Sequence, residues 1–254
     1  MRIGVLIAGG SPRQRADAVC HADHSGLDLV WLAADRERPA ASLVAATAAA
    51  ARTRAVRVGV EVPLGDTHPL HVAEEIAVAD QVLQGRLVPT LTPSRGAEPD
   101  FAEAVRLVFA AAGPRPFRHP GPRWPTPANL RAHGDVPAEV RVLPTRPHAP
   151  AAVWIDGDPA VAAHFATPFF GRAPGPVRAD ADPDAAVMVR AVRAAAQAGA
   201  DTVLFRLPSE AGHRESRDMI TTLARDVRPR TQLAQLPPGL DEFWERATRE
   251  EFHV

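Results

Sequence analysis

Short apolar runs alternate along this chain with longer stretches whose apolar residues recur every three or four positions. Arg2–Ala8, Leu27–Leu32, Val56–Val62, Leu87–Thr92 and Ala152–Ile155 read as successive buried strands. Between them lie helical stretches, Arg13–His24, Ala40–Arg52 and Phe101–Ala112, and the clearest of all within His68–Leu87. There Val72, Ile76, Ala79 and Leu83 make one apolar face, Pro69 suits a first helical turn, and Gly85 is the expected left-handed terminator. Strand and helix in strict alternation predict an α/β fold with a parallel sheet.

Beyond residue 112 the pattern loosens. Gly113–Pro150 is dense in proline and cannot be one long helix. After the fifth strand come a helix at Ala160–Ala166, a sixth strand at Thr167–Gly171 and a loop at Ala173–Pro183. A helix at Asp184–Gly199, a strand at Thr202–Leu207 and a helix at Arg217–Val227 follow, and Leu240–Val254 reads as a short packed tail. About a dozen residues separate the sixth strand from the next helix, too few for a βα crossover.

Composition narrows the function classes. The 254 residues fit one barrel-sized domain, 1–254. A net charge of −1 excludes electrostatic steering to nucleic acid or to an anionic membrane. All 29 basic residues are arginine and tyrosine is absent, which removes lysine Schiff-base and tyrosine acid/base chemistry. Cys20 is the only cysteine, so no internal disulfide forms. The pairs His21/His24 and His68/His71 lack a third ligand nearby, and no metal site is read. The first apolar run is too short for a membrane span and has no cleavage pattern, so a cytoplasmic protein is expected. Gly9 and Gly10 after the first strand suggest a dinucleotide fingerprint, but the full Gly-x-Gly-x-x-Gly is missing, with Pro12 and Arg13 where small residues are needed.

Four segments, in order, carry a resemblance. GLDLVWLA (Gly26–Ala33), TAAAARTRAVRVGVEV (Thr47–Val62), HPLHVAEEIAVADQVLQGRL (His68–Leu87) and AVWIDGDPAVAAHFA (Ala152–Ala166) resemble the bacterial luciferase-like family of flavin enzymes. The resemblance covers most of residues 1–166 and, more faintly, 183–229. It implies a (β/α)8 TIM-barrel-like fold, here incomplete or remodelled and missing one βα unit. It also implies a flavin-dependent oxidoreductase, a monooxygenase or dehydrogenase acting on a small organic substrate, with FMN or a deazaflavin. A separate flavin reductase and a homodimer through Ala40–Arg52 and Val72–Leu83 are the implied partners. A non-catalytic ligand-binding protein, or a partner subunit, on the same fold is the alternative.

The resemblance also assigns candidate residues, and the chain departs from it in places. Where the family often has Glu-His-His after the second strand, this chain has Ala34, Asp35 and Arg36. Asp35 can replace the missing acid/base group or be a solvated loop carboxylate. His213 is a second candidate base or a surface histidine. The cofactor is expected against Val62, Pro63, Thr92, Arg95, Gly157 and Asp158. Arg95 stands two positions beyond the family's phosphate-binding arginine. Asp158 replaces the usual Ser or Thr at a helix N-terminus, where it makes a good cap but repels phosphate. Asp35, Thr92, Arg95, Arg206 and His213 are the expected polar lining at strand C-terminal ends. Gly113–Pro150 is expected either to lie over the barrel mouth, with Phe117, Arg118, Arg123 and Trp124 lining it, or to form a structural strap with buried aromatics.

Overall fold

A computed structural model describes residues 1–34, 41–127, 139–144, 153–208 and 212–232. Seven strands form one parallel sheet: β1 (Arg2–Ile7), β2 (Leu29–Leu32), β3 (Arg57–Leu64), β4 (Leu87–Pro93), β5 (Trp154–Ile155), β6 (Pro176–Asp180) and β7 (Thr202–Arg206). Their spatial order is β5-β4-β3-β2-β1-β7-β6. Helices α1 (Pro12–Ser25), α2 (Ala41–Ala50), α3 (Pro69–Val82), α4 (Phe101–Ala112), α5 (Pro159–His164), α6 (Ala185–Gln197), α7 (His213–Thr222) and α8 (Arg228–Gln232) connect or follow the strands.

Sequence chemistry sets the helix ends. Ser11 and Gln14 make a reciprocal capping box at the start of α1, and Gly26, at φ 80°, stops it in the left-handed region. Asp184 accepts the Ala186 N–H and starts α6. The last helical region begins at His213, four residues before the expected Arg217, and runs through a π-helical turn, Leu223–Val227, into α8.

Between β5 and β6 the barrel is incomplete. Only Pro168–Phe170 stands there: the Ile155 N–H donates to the Pro168 carbonyl at 3.1 Å, and the Phe170 N–H to the Ile155 carbonyl at 2.8 Å. The Gly171 N–H then reaches the Pro176 carbonyl at 2.7 Å, and no helix intervenes. The expected sixth strand is therefore a single bridge, Ile155 to Phe169. The expected loop Ala173–Pro183 is corrected as well, since its second half is β6, paired along its length with β7.

Alternation sorts the side chains into two layers. Odd or even positions facing the helices join the large core with α1 to α7, including Ile3, Val5, Val30, Leu32, Val58, Val60, Leu91 and Phe205. The opposite faces fill the lumen with Leu6, Leu29, Trp31, Val88, Trp154, Phe170 and Leu204. The lumen is thus a packed core closed below, and it opens only at the C-terminal ends of the strands.

Candidate active site

The mouth is built on Trp31. Gly59 on β3 stands opposite it in the β2–β3 register, and a Cβ there would come within 2.4 Å of the Trp31 ring. The missing side chain lets the indole reach past β3 and donate from Nε1 to Thr90 Oγ1 on β4, at 2.8 Å. Phe170 stacks on the other side, with ring centroids 4.7 Å from Trp31 and 5.6 Å from Trp154. These three rings make an aromatic floor.

On that floor lies Arg178 from β6. Its guanidinium sits 4.2 Å above the Phe170 ring, and Nη2 donates to Asp156 Oδ2 at 2.7 Å. Asp156 also accepts the Gly157 N–H at 2.8 Å. Arg15 of α1, 4% exposed, braces the opposite rim, donating from Nη1 to the Ala33 carbonyl at 2.8 Å and from Nε to the Gly9 carbonyl at 3.3 Å. Trp31, alone of the three rings, borders an open cavity of about 730 Å³, a size that suits a cofactor or substrate. Glu61, Asp156, Arg178, Asp180 and Arg206 give it charge; Leu6, Ala8, Leu207 and Pro208 give it apolar walls. Glu61 Oε2 accepts the Ala34 N–H at 2.9 Å.

The expected residues separate against this geometry. Arg206 lines the cavity. Asp35 lies outside the described residues. Thr92 is buried on the lumen face of β4, two residues beyond Thr90, and Pro63 shares the lumen face of β3 with Glu61. The Val62 side chain packs in the helix-facing core, which leaves only its backbone toward the mouth. Arg95 is exposed in the turn after β4 and does not line the cavity. Gly157, at φ 95°, packs against Pro93, so the loops carrying Arg95 and Asp158 are neighbours. Asp158 Oδ1 accepts the N–H groups of Ala160 and Val161 at 2.8 and 3.4 Å, so its carboxylate already occupies the start of α5.

His213 is the exposed first residue of α7 and lines a cavity of about 250 Å³ with Gly9, Gly10, Gln14 and Arg217; that cavity shares Ala8, Leu207 and Pro208 with the mouth cavity. The described part of the proline-rich segment lies against α4 rather than over the mouth cavity. Glu103 of α4 accepts the Trp124 N–H at 3.0 Å and pairs with His119 Nε2 at 3.1 Å. Trp124 is buried in the helix-side core, and neither Phe117, Arg118 nor Arg123 lines the cavity.

A parallel barrel, incomplete at one seam and open at its strand C-termini onto a charged cavity, defines a TIM-barrel-like class. Residues 2–116 match the family model of luciferase-like monooxygenases. The structure resembles monooxygenase RslO1 from Streptomyces bottropensis (TM-score 0.69, 16% identity, 90% of this chain and 99% of that one). It also resembles EDTA monooxygenase from Chelativorans sp. BNC1 (TM-score 0.54, 14% identity, 81% of this chain and 63% of that one). A third likeness is to the coenzyme F420-dependent tetrahydromethanopterin reductase of Methanopyrus kandleri (TM-score 0.50, 16% identity, 81% and 65%). Comparison with curated proteins gives no match. Among the described residues no helix is long and apolar enough to cross a membrane, and no group of three or more His, Cys, Asp or Glu is placed to hold a metal.

Proposed function

We propose that this protein is a flavin-dependent oxidoreductase, a monooxygenase or dehydrogenase of a small organic substrate, working in the mouth cavity. The observation that carries the reading is the cavity of about 730 Å³ beside Trp31, at the end of the barrel where such folds do chemistry. The flavin, FMN or a deazaflavin, would supply the redox chemistry. The chain's own residues would hold the flavin in the mouth and keep water from it. A separate reductase would deliver reduced flavin, and a homodimer through α2 and α3 is the expected assembly.

The fit to the cofactor is good for the ring and selective for the phosphate. At the start of α5, Asp158 occupies two N–H groups that a phosphate would need. A carboxylate about 4 Å from one phosphate charge costs about 4 kcal/mol at an effective dielectric constant near 20. The helix terminus returns about 0.3–1 kcal/mol. Arg95, on the neighbouring loop, is therefore the phosphate contact. The same Asp158 cap favours a second reading, a ligand-binding protein or partner subunit that has given up catalysis.

The test is titration with FMN and with riboflavin, which lacks the phosphate, followed by turnover with reduced flavin and oxygen. Arg95→Ala should weaken FMN binding and leave riboflavin binding alone, while Asp158→Ser should bind FMN equally or more tightly. Flavin binding without turnover would favour the second reading, and no flavin binding would overturn both flavin assignments.

A further inference from the structure

Glu61 and Arg178 face each other across the mouth. In the strand order β5-β4-β3-β2-β1-β7-β6, with Pro168–Phe170 between β6 and β5, strands β3 and β6 are four positions apart in either direction. They are diametrically opposed. Both line the same cavity, one a carboxylate and the other a guanidinium, with Trp31 in the lining between them.

Each group is fixed in place with capacity to spare. Arg178 lies flat on Phe170 and uses Nη2 for Asp156; among the described residues no acceptor reaches its Nη1 or Nε. Glu61 is held by the Ala34 N–H on Oε2; no described donor reaches Oε1. Arg206, beside Arg178 on the next strand, adds a second cation to that wall, and Asp180, its register partner on β6, adds a carboxylate there. The guanidinium wall can donate to an oxygen, the carboxylate wall can only accept from a hydroxyl, and the space between is bordered by the Trp31 ring, Leu6, Ala8 and Leu207.

We propose that the substrate is a flat, ring-containing molecule with a carboxylate or carbonyl oxygen at one end, taken by Arg178, and a hydroxyl at the other, taken by Glu61. The two residues then set both the class of substrate and its direction in the mouth. This names the substrate of the oxidoreductase reading, but it concerns binding alone and can be tested without flavin.

The experiment is calorimetric titration of the flavin-free protein with hydroxynaphthoate, naphthoate (no hydroxyl) and naphthol (no carboxylate). The wild-type protein should bind hydroxynaphthoate about tenfold more tightly than either of the others, since a charge-assisted hydrogen bond is lost in each case. Arg178→Met should weaken hydroxynaphthoate and naphthoate by about tenfold and leave naphthol unchanged. Glu61→Gln should weaken hydroxynaphthoate and naphthol and leave naphthoate equal or tighter. Equal binding of all three probes by the wild type overturns the proposal without any variant, so a variant that fails to fold does not rescue it. A variant that weakens all three probes alike also overturns it, because that pattern marks a general packing role. FMN titrated into the same preparations separates the two readings. Flavin binding with equal probe affinities sinks this proposal alone, and ranked probes without flavin binding sink only the flavin reading.

Discussion

Arg178 and Asp156 form an ion pair of 2.7 Å across the one seam of the barrel that no full strand fills. Arg178 comes from β6 and Asp156 follows β5, so the pair bridges the gap over Phe170, where the chain supplies only a single bridge between strands. Among the described residues it is the side-chain contact that ties the two edges of the sheet together at the mouth.

Removing that pair should loosen the seam. Both side chains are about a third exposed, at 36% and 27%, so the ion pair alone contributes about 0–1 kcal/mol. Stacking on Phe170 adds about 0.5–2 kcal/mol. Arg178→Met should therefore cost roughly 1–2 kcal/mol in urea denaturation, and Asp156→Asn less, because the stacking survives. Hydrogen exchange at Phe170 and Gly171 should accelerate in both variants. Unchanged exchange there would show that backbone bonds hold the seam unaided.

Gly59 should tolerate no side chain. A Cβ would stand 2.4 Å from the Trp31 ring, whose opposite face is blocked by Phe170. Gly59→Ala should cost about 1–3 kcal/mol by overpacking. It should also break the Trp31–Thr90 bond, seen as a change in near-ultraviolet circular dichroism. Thr90→Val should break the same bond without the overpacking, which separates the two effects.

The contrast between these residues and the sequence pattern explains what was legible. The alternation of β1 to β4 with α1 to α4 is plain because strands buried on both faces read as apolar runs. β6 is hidden for the opposite reason. Its lumen-facing Arg178 and Asp180 interrupt Val177 and Ala179, and with Pro174, Pro176 and Pro183 around them the stretch looks like a loop. Arg206 was readable as a polar residue ending a strand. Glu61 and Trp31 were not: each sits within an apolar run, and only the register that sets Trp31 against Gly59 shows which face is lumen. The proline-rich segment misled because Glu103, an ordinary helix residue in sequence, anchors it to α4.

That anchor should be sensitive to acid. Burial pushes the Glu103 carboxyl up, but the N–H donors of Trp124, His119 and Arg123 outweigh it and hold the group below its ordinary value of 4.5. A depressed carboxylate contributes stability that is present above the unfolded value and is lost as pH falls through the folded one. Stability should then decline below about pH 4.5 more steeply in the wild type than in Glu103→Gln. At neutral pH Glu103→Gln should cost about 1–2 kcal/mol, since its hydrogen bonds lose their charge. Limited proteolysis after Gly113 should follow the same order. Parallel acid transitions in the two proteins would assign the pH dependence elsewhere, with Asp23, held low by the N–H groups of Val56, Ala55 and Arg54, the next group to test.

The α2–α3 face should join two copies of the chain. Val44, Val78 and Val82 are 58%, 50% and 49% exposed, and Val44 and Val78 with Leu43 and Ala79 border an apolar groove of about 570 Å³ between the two helices. Its rim carries His71, Glu74 and Glu75, so the patch has an apolar centre and a polar border. In a two-fold dimer the same patch meets itself, so one substitution acts twice. Burying a valine side chain contributes roughly 1.5–3 kcal/mol, and a guanidinium at the same place must be desolvated without a partner. Val78→Arg should convert a dimer into a monomer at micromolar concentration, read by light scattering, with the fold unchanged by circular dichroism. Arg190→Ala, on the distant helix α6, should leave the assembly as it is. A monomeric wild type under the same conditions would rule out this interface and leave the exposed valines without a partner surface.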